Sequence, residues 1–145
     1  MTKNYRRYSV KMYGTMVFVL IATFGIYNIV FNHVDPLSFC YIDIDSDTLR
    51  GERKTVKQAL TELKKEDPAT YKKVCKSVDV VNEKWCILGD KRGDSTYKEP
   101  ITGGCFVRGT HTIYINPSKS TSPKTVDTRT EQIARYGTYA YDFWN

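Results

Sequence analysis

The sequence predicts an α+β fold in which one N-terminal transmembrane helix precedes a small extracytoplasmic domain with two or three helices and a small, mostly antiparallel sheet. Three observations predict this fold. A long uncharged stretch follows a basic N-terminus, helical and strand-like patterns alternate after it, and all four cysteines lie beyond it. A chain of 145 residues has room for one modest domain after such a helix.

Residues 12–31, MYGTMVFVLIATFGIYNIVF, carry no charge and are long enough for an α-helix to span a bilayer. The basic residues precede this stretch, so the positive-inside rule predicts a cytoplasmic tail over residues 1–11 and an extracytoplasmic domain over residues 32–145. A cleaved signal peptide and a buried core helix are the alternatives. The following NHVDPLSF offers no small-x-small cleavage site, which favours an uncleaved signal anchor in the cell membrane.

The formal net charge of +6 belongs mainly to the N-terminal tail. Residues 1–31 contain four basic residues and no acidic one, which leaves 18 of the 22 Lys and Arg against 16 Asp and Glu, a net charge of +2, for the rest of the chain. A nucleic-acid-binding domain normally carries its basic residues on the folded surface. We therefore predict no nucleic-acid partner.

The four cysteines, Cys40, Cys75, Cys86 and Cys105, all fall on the predicted outer side. An oxidising environment favours two disulfides there over free thiols, and no two cysteines have the close spacing of a zinc site. Three connectivities are possible. We favour Cys86–Cys105, which closes the Gly-, Lys- and Pro-containing loop between them, and this choice leaves Cys40–Cys75.

The first half of the outer domain predicts a strand followed by two helices. FCYIDI alternates as a strand does, and RGERKTVKQALTELKKED has apolar residues at helical spacing. Asp67 and Pro68 should end this helix and begin the next, as N-cap and first helical position. Both helices are expected to be ordinary amphipathic core elements.

The second half predicts more strands and a final helix. VDVVNEKWCIL returns to β-type residues, GDKRGDSTYKEPITGG predicts an exposed loop, and CFVRGTHTIYI resembles a β-hairpin with Gly109-Thr110 near its turn. VDTRTEQIARYGTYAYDFWN predicts a helix from about Asp127, with Gly137 weakening its middle. Arg92-Gly93-Asp94 in the loop could form an adhesion motif, although Gly-Asp in a polar loop is an ordinary turn.

Acidic residues alternate in the predicted first strand. Asp43, Asp45 and Asp47 would share one face of that strand and could bind a cation such as Ca²⁺. The segment lacks the Gly and the distal Glu of an EF-hand loop, so a solvated face or turn is favoured. The two histidines of the chain, His33 and His111, are too far apart in sequence to form an H-E-x-x-H zinc motif.

The order of two helices, a strand, Gly104-Cys105, the strand TIYI (residues 112–115) and a helix resembles the core of small membrane-anchored zincin-like metallopeptidase domains. The resemblance covers about residues 55–140. The H-E-x-x-H motif is missing, because Thr130 and Ala134 stand around Glu131 where the two metal ligands would be. The resemblance therefore implies a related fold and a non-catalytic relative, with no transfer of ligands.

The C-terminal YGTYAYDFWN is unusually rich in aromatic residues. On a helix its aromatic side chains point in more than one direction, so one face can enter the core while another stays exposed unless the small domain wraps the helix from both sides. Exposed aromatic residues at this density are typical of an interface with a protein, a glycan or a membrane. The predicted partner-binding residues are Tyr136, Tyr139, Tyr141, Phe143 and Trp144.

Together these features predict a membrane-anchored extracytoplasmic interaction or scaffold domain, such as an accessory subunit of a membrane or envelope complex. Its predicted partners are the membrane and a protein bound through the C-terminal aromatic helix. No cofactor, metal ligand or catalytic residue is predicted. The alternative is a divergent zincin-like peptidase, or another hydrolase whose site the sequence does not reveal.

Overall fold

The computed structural model describes residues 3–86 and 103–145. The chain divides into two compact units, Met1–Phe31 and Asn32–Asn145. The first unit holds helix α1 (Lys3–Phe31), and the second holds a sheet with three helices. The loop predicted over residues 89–104 and its Arg92-Gly93-Asp94 sequence lie mostly outside the described residues, and the adhesion motif lies wholly outside them.

Helix α1 covers the stretch predicted to cross a membrane. Across the described residues, however, no helix is both long enough and apolar enough to do so. The prediction of a transmembrane signal anchor at residues 12–31 is therefore wrong. Within α1, the Thr23 hydroxyl donates to the backbone carbonyls of Val19 and Leu20, both at 2.9 Å.

The sheet of the second unit has the strand order β1-β2-β3-β5-β4. Strands β2, β3 and β5 are parallel, while β1 and β4 pair antiparallel at the two edges. The prediction of a mostly antiparallel sheet is wrong, because two helices carry the chain back across the sheet between β2 and β3 and so make these strands parallel. The strands are β1 (His33–Asp35), β2 (Cys40–Ser46), β3 (Val80–Glu83), β4 (Cys105–Phe106) and β5 (Thr112–Tyr114).

The described part of the second unit has three α-helices. Helices α2 (Arg53–Glu66) and α3 (Pro68–Ser77) lie between β2 and β3, and α4 (Pro123–Trp144) follows β5. The predicted junction between α2 and α3 is confirmed, since Asp67 Oδ1 accepts a hydrogen bond from the Thr70 amide at 2.9 Å. Helix α4 begins earlier than predicted. Ser122 caps it by accepting from the Thr125 amide, and Pro123 occupies the first turn, where its missing N–H costs nothing.

The core lies between the helices and one face of the sheet. In β2, Ile42 and Ile44 are buried, whereas Tyr41 and Asp43 alternate with them on the exposed face. This period of two is the mark of a sheet covered on one side only. The remaining core comes from apolar positions on the three helices and on β3 and β5, among them Val56, Leu60, Leu63, Tyr71, Val74, Val81, Ile113 and Ile133.

Both predicted disulfides are present. Cys40 of β2 is bonded to Cys75 of α3, with a Cα–Cα distance of 4.9 Å, and Cys86 is bonded to Cys105 of β4, with a Cα–Cα distance of 6.0 Å. The first bond ties the sheet to a helix, and the second joins the end of the segment after β3 to an edge strand. This connectivity is the one predicted from the sequence, in which Cys86–Cys105 closes the loop between these two residues.

Gly137 lies in the middle of α4, yet the helix continues through it. The reason is tertiary: a Cβ on this residue would lie 2.5 Å from Cγ2 of Val74 on α3. The Ser77 hydroxyl also donates to the Gly137 carbonyl at 3.3 Å. The absent side chain thus lets two helices pack closely, which offsets the low helix propensity of glycine.

We expect Gly137→Ala to destabilise the protein, although Ala is the better helix former by about 1 kcal/mol. The added Cβ would collide with Val74, which is stiff at χ1 and cannot turn away easily. Urea unfolding followed by circular dichroism should show a lower midpoint for Gly137→Ala than for the wild type.

The matched control is the same substitution made in a Val74→Ala background. There the obstructing methyl groups are absent, so Gly137→Ala should leave the unfolding midpoint unchanged or raise it. An equal loss of stability in both backgrounds would contradict the close approach of α3 and α4.

Candidate functional site

An open cavity of about 550 Å³ lies between α4 and strand β4. We call it the aromatic groove. Its walls are formed by one residue pair on the edge strand, one arginine beyond that strand, and the C-terminal half of α4. The lining residues are Cys105, Phe106, Arg108, Tyr136, Tyr139, Asp142 and Phe143.

Ring contacts hold the aromatic groove in shape. Phe106 and Phe143 meet edge to face with ring centroids 5.7 Å apart, and Tyr136 meets Tyr139 in the same way at 5.9 Å. Both separations are typical of favourable aromatic pairs. Tyr139 and Phe143 nevertheless remain 55% and 47% exposed. The groove is therefore an ordered apolar surface that water still reaches.

One positive and one negative side chain flank these rings. Arg108 and Asp142 both line the groove and are both exposed. Within the described part of the chain, neither takes part in an ion pair. The groove thus combines an apolar wall with two opposite charges that are available to a ligand.

The structure divides the five predicted partner-binding residues between different surroundings. Tyr136, Tyr139 and Phe143 line the groove. Tyr141 lies beneath Lys73 and Lys76 of α3, whose ammonium groups are 5.6 and 5.5 Å from its ring centroid. A cation over a ring is a favourable intramolecular contact, so the Tyr141 ring already has partners within the protein.

Trp144 also has an intramolecular partner. Its ring stacks on His111 with centroids 4.6 Å apart and an interplanar angle of 10°. Its indole nitrogen donates to the Thr110 carbonyl at 3.3 Å. This stacking fastens the end of α4 to the turn before β5 and leaves Trp144 outside the groove.

A second constellation, the buried ion pair between Glu83 and Arg129, lies at the carboxyl ends of the parallel strands. Glu83 is 0% and Arg129 1% exposed. The Glu83 carboxylate also accepts from the Ser46 hydroxyl at 2.7 Å and from the Glu52 amide at 2.8 Å. Arg129 donates from Nη1 to the Glu52 carbonyl at 2.9 Å and from Nη2 to the Ser118 carbonyl at 2.8 Å.

This ion pair is structural, because no path for a substrate reaches a carboxylate that is fully buried. Burial lowers the pKa of Arg129 to about 10, which still leaves the guanidinium protonated at neutral pH. Gly51 also belongs to the arrangement, since a Cβ there would lie 2.5 Å from Glu83 Oε2. The backbone before α2 can therefore approach the carboxylate only because residue 51 has no side chain.

A polar cluster lies at the β1 edge of the sheet, around the buried Tyr71 of α3. The Tyr71 hydroxyl donates to Asp35 Oδ2 at 3.1 Å, and His33 Nε2 lies 2.8 Å from the same hydroxyl. Lys64 pairs with Asp35 at 2.6 Å. Since the hydroxyl proton is directed to Asp35, His33 Nε2 is the donor in its own bond, and its Nδ1 is the site where an acid would add a proton.

Within this cluster the pKa values of Asp35, His33 and Tyr71 are shifted. The hydrogen bond from Lys64 lowers the pKa of Asp35 to about 2. Burial lowers the pKa of His33, and burial together with the neighbouring Asp35 raises that of Tyr71.

Of the three acidic residues predicted to share one strand face, Asp43 and Asp45 do so in β2, and Asp47 follows the end of the strand. Asp45 pairs with Lys84 at 2.6 Å, whereas Asp47 lies beyond the end of β2 and accepts from the Leu49 amide in a turn. Among residues 3–86 and 103–145, no three His, Cys, Asp or Glu side chains come together as a metal site would require. Glu131 is an exposed residue of α4.

Comparisons with protein families, with curated proteins and with solved structures find no match. The zincin-like resemblance accordingly stays a prediction. The geometry of the aromatic groove is the main support for the proposed function.

Several residues of these sites were not predicted from the sequence. Glu83 did leave a signal, because it follows Val81 at the spacing that places both on one face of β3. Arg129 left a similar one, since it stands one helical turn before the buried Ile133. Phe106 and Arg108 left none, because only the tertiary structure brings the hairpin against α4.

Glu83→Gln should be among the most destabilising substitutions in the domain. It leaves the buried Arg129 without its counter-charge, and breaking one partner of a buried ion pair typically costs about 3–5 kcal/mol. Urea unfolding should reveal the loss. Lys84→Met is the matched control, because the Lys84–Asp45 pair is exposed and surface pairs contribute at most about 1 kcal/mol. Equal losses in the two variants would refute the structural role of the buried pair.

His33 makes the folded state less stable in mild acid. Its pKa is lowered by folding, so the unfolded chain takes up a proton at higher pH, and stability present above about pH 6.5 is lost as the pH falls through the folded pKa. Folding also lowers the pKa of Asp35, so the stability that this residue contributes is present above about pH 4. It is lost as the pH falls towards the folded pKa of about 2.

We therefore expect His33→Gln to reduce the difference in unfolding free energy between pH 7 and pH 5. Glutamine retains an amide donor for the Tyr71 hydroxyl and does not titrate. Urea titrations at the two pH values measure the difference, and Asp35 contributes little to it in that range. A variant that loses as much stability as the wild type would show that another group is responsible.

Proposed function

We propose that residues 32–145 form a protein-binding domain whose aromatic groove takes an apolar or aromatic side chain from an extended segment of a partner. The observation that supports this proposal is the groove itself, an open cavity with ordered but exposed rings. Partly exposed Tyr and Phe side chains supply large contact areas at a low entropic cost, which is why such residues are enriched at interfaces.

The charges beside the rings indicate which residues the partner segment should carry. Arg108 and Asp142 flank the rings and have no partner in an ion pair among the described residues. A segment that places an acidic residue near Arg108 and a basic residue near Asp142, with the apolar side chain between them, would match both charges. Complementary charges at the rim of an interface favour the correct orientation and the association rate.

The disulfides support a location outside the cytoplasm. All four cysteines are paired, and two such bonds form and persist in an oxidising compartment. We therefore propose that the domain meets its partner in an extracytoplasmic space, as a binding or scaffold component. No arrangement within the described residues favours the hydrolase alternative over this function.

Selection of random peptides displayed on phage against the folded, oxidised protein tests the proposal. We expect enriched peptides to share an apolar or aromatic residue flanked by opposite charges. Phe143→Ala and Tyr139→Ala should weaken synthetic versions of these peptides by at least about tenfold, as hot-spot truncations cost about 2 kcal/mol or more. Fluorescence anisotropy measures the affinities.

Phe39→Ala is the matched control, since Phe39 is an exposed phenylalanine at 95% exposure that does not line the groove. It should leave the peptide affinities unchanged. The proposal fails if no peptide is enriched, or if the enriched peptides bind Phe143→Ala as tightly as the wild type.

A further inference from the structure

A second cavity, of about 240 Å³, lies beside the first turns of α4 and the loop before it. We call it the polar cavity, because every residue that lines it has a polar side chain. It is separate from the aromatic groove and shares no lining residue with it. Its lining residues are Asn116, Ser118, Ser122, Lys124, Thr125, Thr128, Arg129 and Gln132.

Two of these residues carry a buried polar atom that has no partner within the described structure. They are Arg129, 1% exposed, whose Nε is unpaired, and Gln132, 9% exposed, whose Oε1 is unpaired. Leaving a buried donor or acceptor unpaired destabilises the folded state, and a ligand that pairs it removes this cost. Both terminal nitrogens of the same arginine already make hydrogen bonds, Nη1 to Glu52 and Nη2 to Glu83 and Ser118, whereas its Nε makes none.

The unpaired atoms specify what a ligand must offer. Arg129 Nε is a donor and requires an acceptor, whereas Gln132 Oε1 is an acceptor and requires a donor. A ligand that serves both must therefore carry a hydrogen-bond acceptor and a hydrogen-bond donor. The hydroxyls of Ser122 and Thr125 on the cavity wall can donate or accept as needed.

The charge of the cavity wall favours an anion. No carboxylate lines the cavity, and the charge of Arg129 is balanced by Glu83 behind it. Lys124 is exposed and takes part in no ion pair among the described residues, which leaves one uncompensated positive charge on the wall. The first turn of α4 adds the positive end of its helix dipole.

We propose that the polar cavity binds a phosphate group, either as inorganic phosphate or as part of a small phosphate monoester that carries hydroxyl groups. Hydrogen phosphate supplies acceptor oxygens to Arg129 and Lys124 and a hydroxyl donor to Gln132. At roughly 30 Å³ per water, the cavity volume corresponds to about eight waters, which is enough for a phosphate with a few additional carbon and oxygen atoms. This site is independent of the proposed function of the aromatic groove.

Sulfate provides a sharp comparison, because at pH 7 it has the size and charge of hydrogen phosphate but no proton to donate to Gln132. Isothermal titration calorimetry of the full chain with inorganic phosphate, sulfate and glycerol 3-phosphate should show phosphate binding at least about tenfold more tightly than sulfate, since one lost hydrogen bond with its unpaired acceptor is worth about 1.4 kcal/mol or more. Tighter binding of glycerol 3-phosphate than of phosphate would identify a monoester as the ligand, and weaker binding would identify inorganic phosphate.

Variants separate this site from a general attraction of anions to a basic protein. Lys124→Met should weaken phosphate binding by about tenfold. Lys119→Met, which removes an exposed lysine from the loop before α4 but not from the cavity wall, should not weaken it. Gln132→Met should remove the preference for phosphate over sulfate. Phe143→Ala should bind phosphate as the wild type does, since it alters only the aromatic groove.

The proposal is overturned if phosphate does not bind, if sulfate binds as tightly, or if Lys124→Met and Lys119→Met weaken binding equally. Thermal unfolding of each variant shows whether it is folded before the titrations. Gln132 is buried, so its variant is the one whose folding is at risk. If Gln132→Met does not fold, two other measurements still test the proposal. They are the comparison of phosphate with sulfate in the wild type and the comparison of Lys124→Met with Lys119→Met.

Discussion

The buried ion pair between Glu83 and Arg129 is the constraint on which the rest of the domain depends. A charge inside a protein is tolerated only when it is paired and hydrogen-bonded, so the groups around this pair have little freedom. They come from the end of β2, the start of α2, the end of β3, the loop after β5 and the body of α4. The position of α4 against the sheet is set in this way at its N-terminal half.

The position of α4 is set a second time near its C-terminal half, by the close contact of Gly137 with Val74. With both halves of the helix held, its rotation about its own axis is fixed. The consequence is a division of the helix surface, in which Gln132 and Arg129 face the polar cavity while Tyr139 and Phe143 line the aromatic groove. Helix α4 thus contributes residues to both candidate sites, and the contacts that stabilise this helix also position the residues of both sites.

Sequence patterns were reliable wherever the interactions that decide the structure are local. The helical spacing of apolar residues, the Asp67-Pro68 junction and the hairpin around Gly109 all correspond to observed elements. The two disulfides also follow from composition and loop position. The start of α4 was placed late, because the aromatic and apolar pattern is weak in the first turn that Ser122 caps.

By itself the sequence determined the α+β class, the amphipathic helices, the paired cysteines and the concentration of aromatic residues at the C-terminus. Each depends on spacing along the chain or on residue type, which a pattern records directly. Only the tertiary structure decided that β2, β3 and β5 are parallel, that Trp144 stacks on His111 while Phe143 lines the groove, and that Arg129 meets Glu83. The physical reason is that these contacts join residues far apart in sequence, and their energies depend on burial and on the simultaneous packing of several elements, which no local pattern encodes.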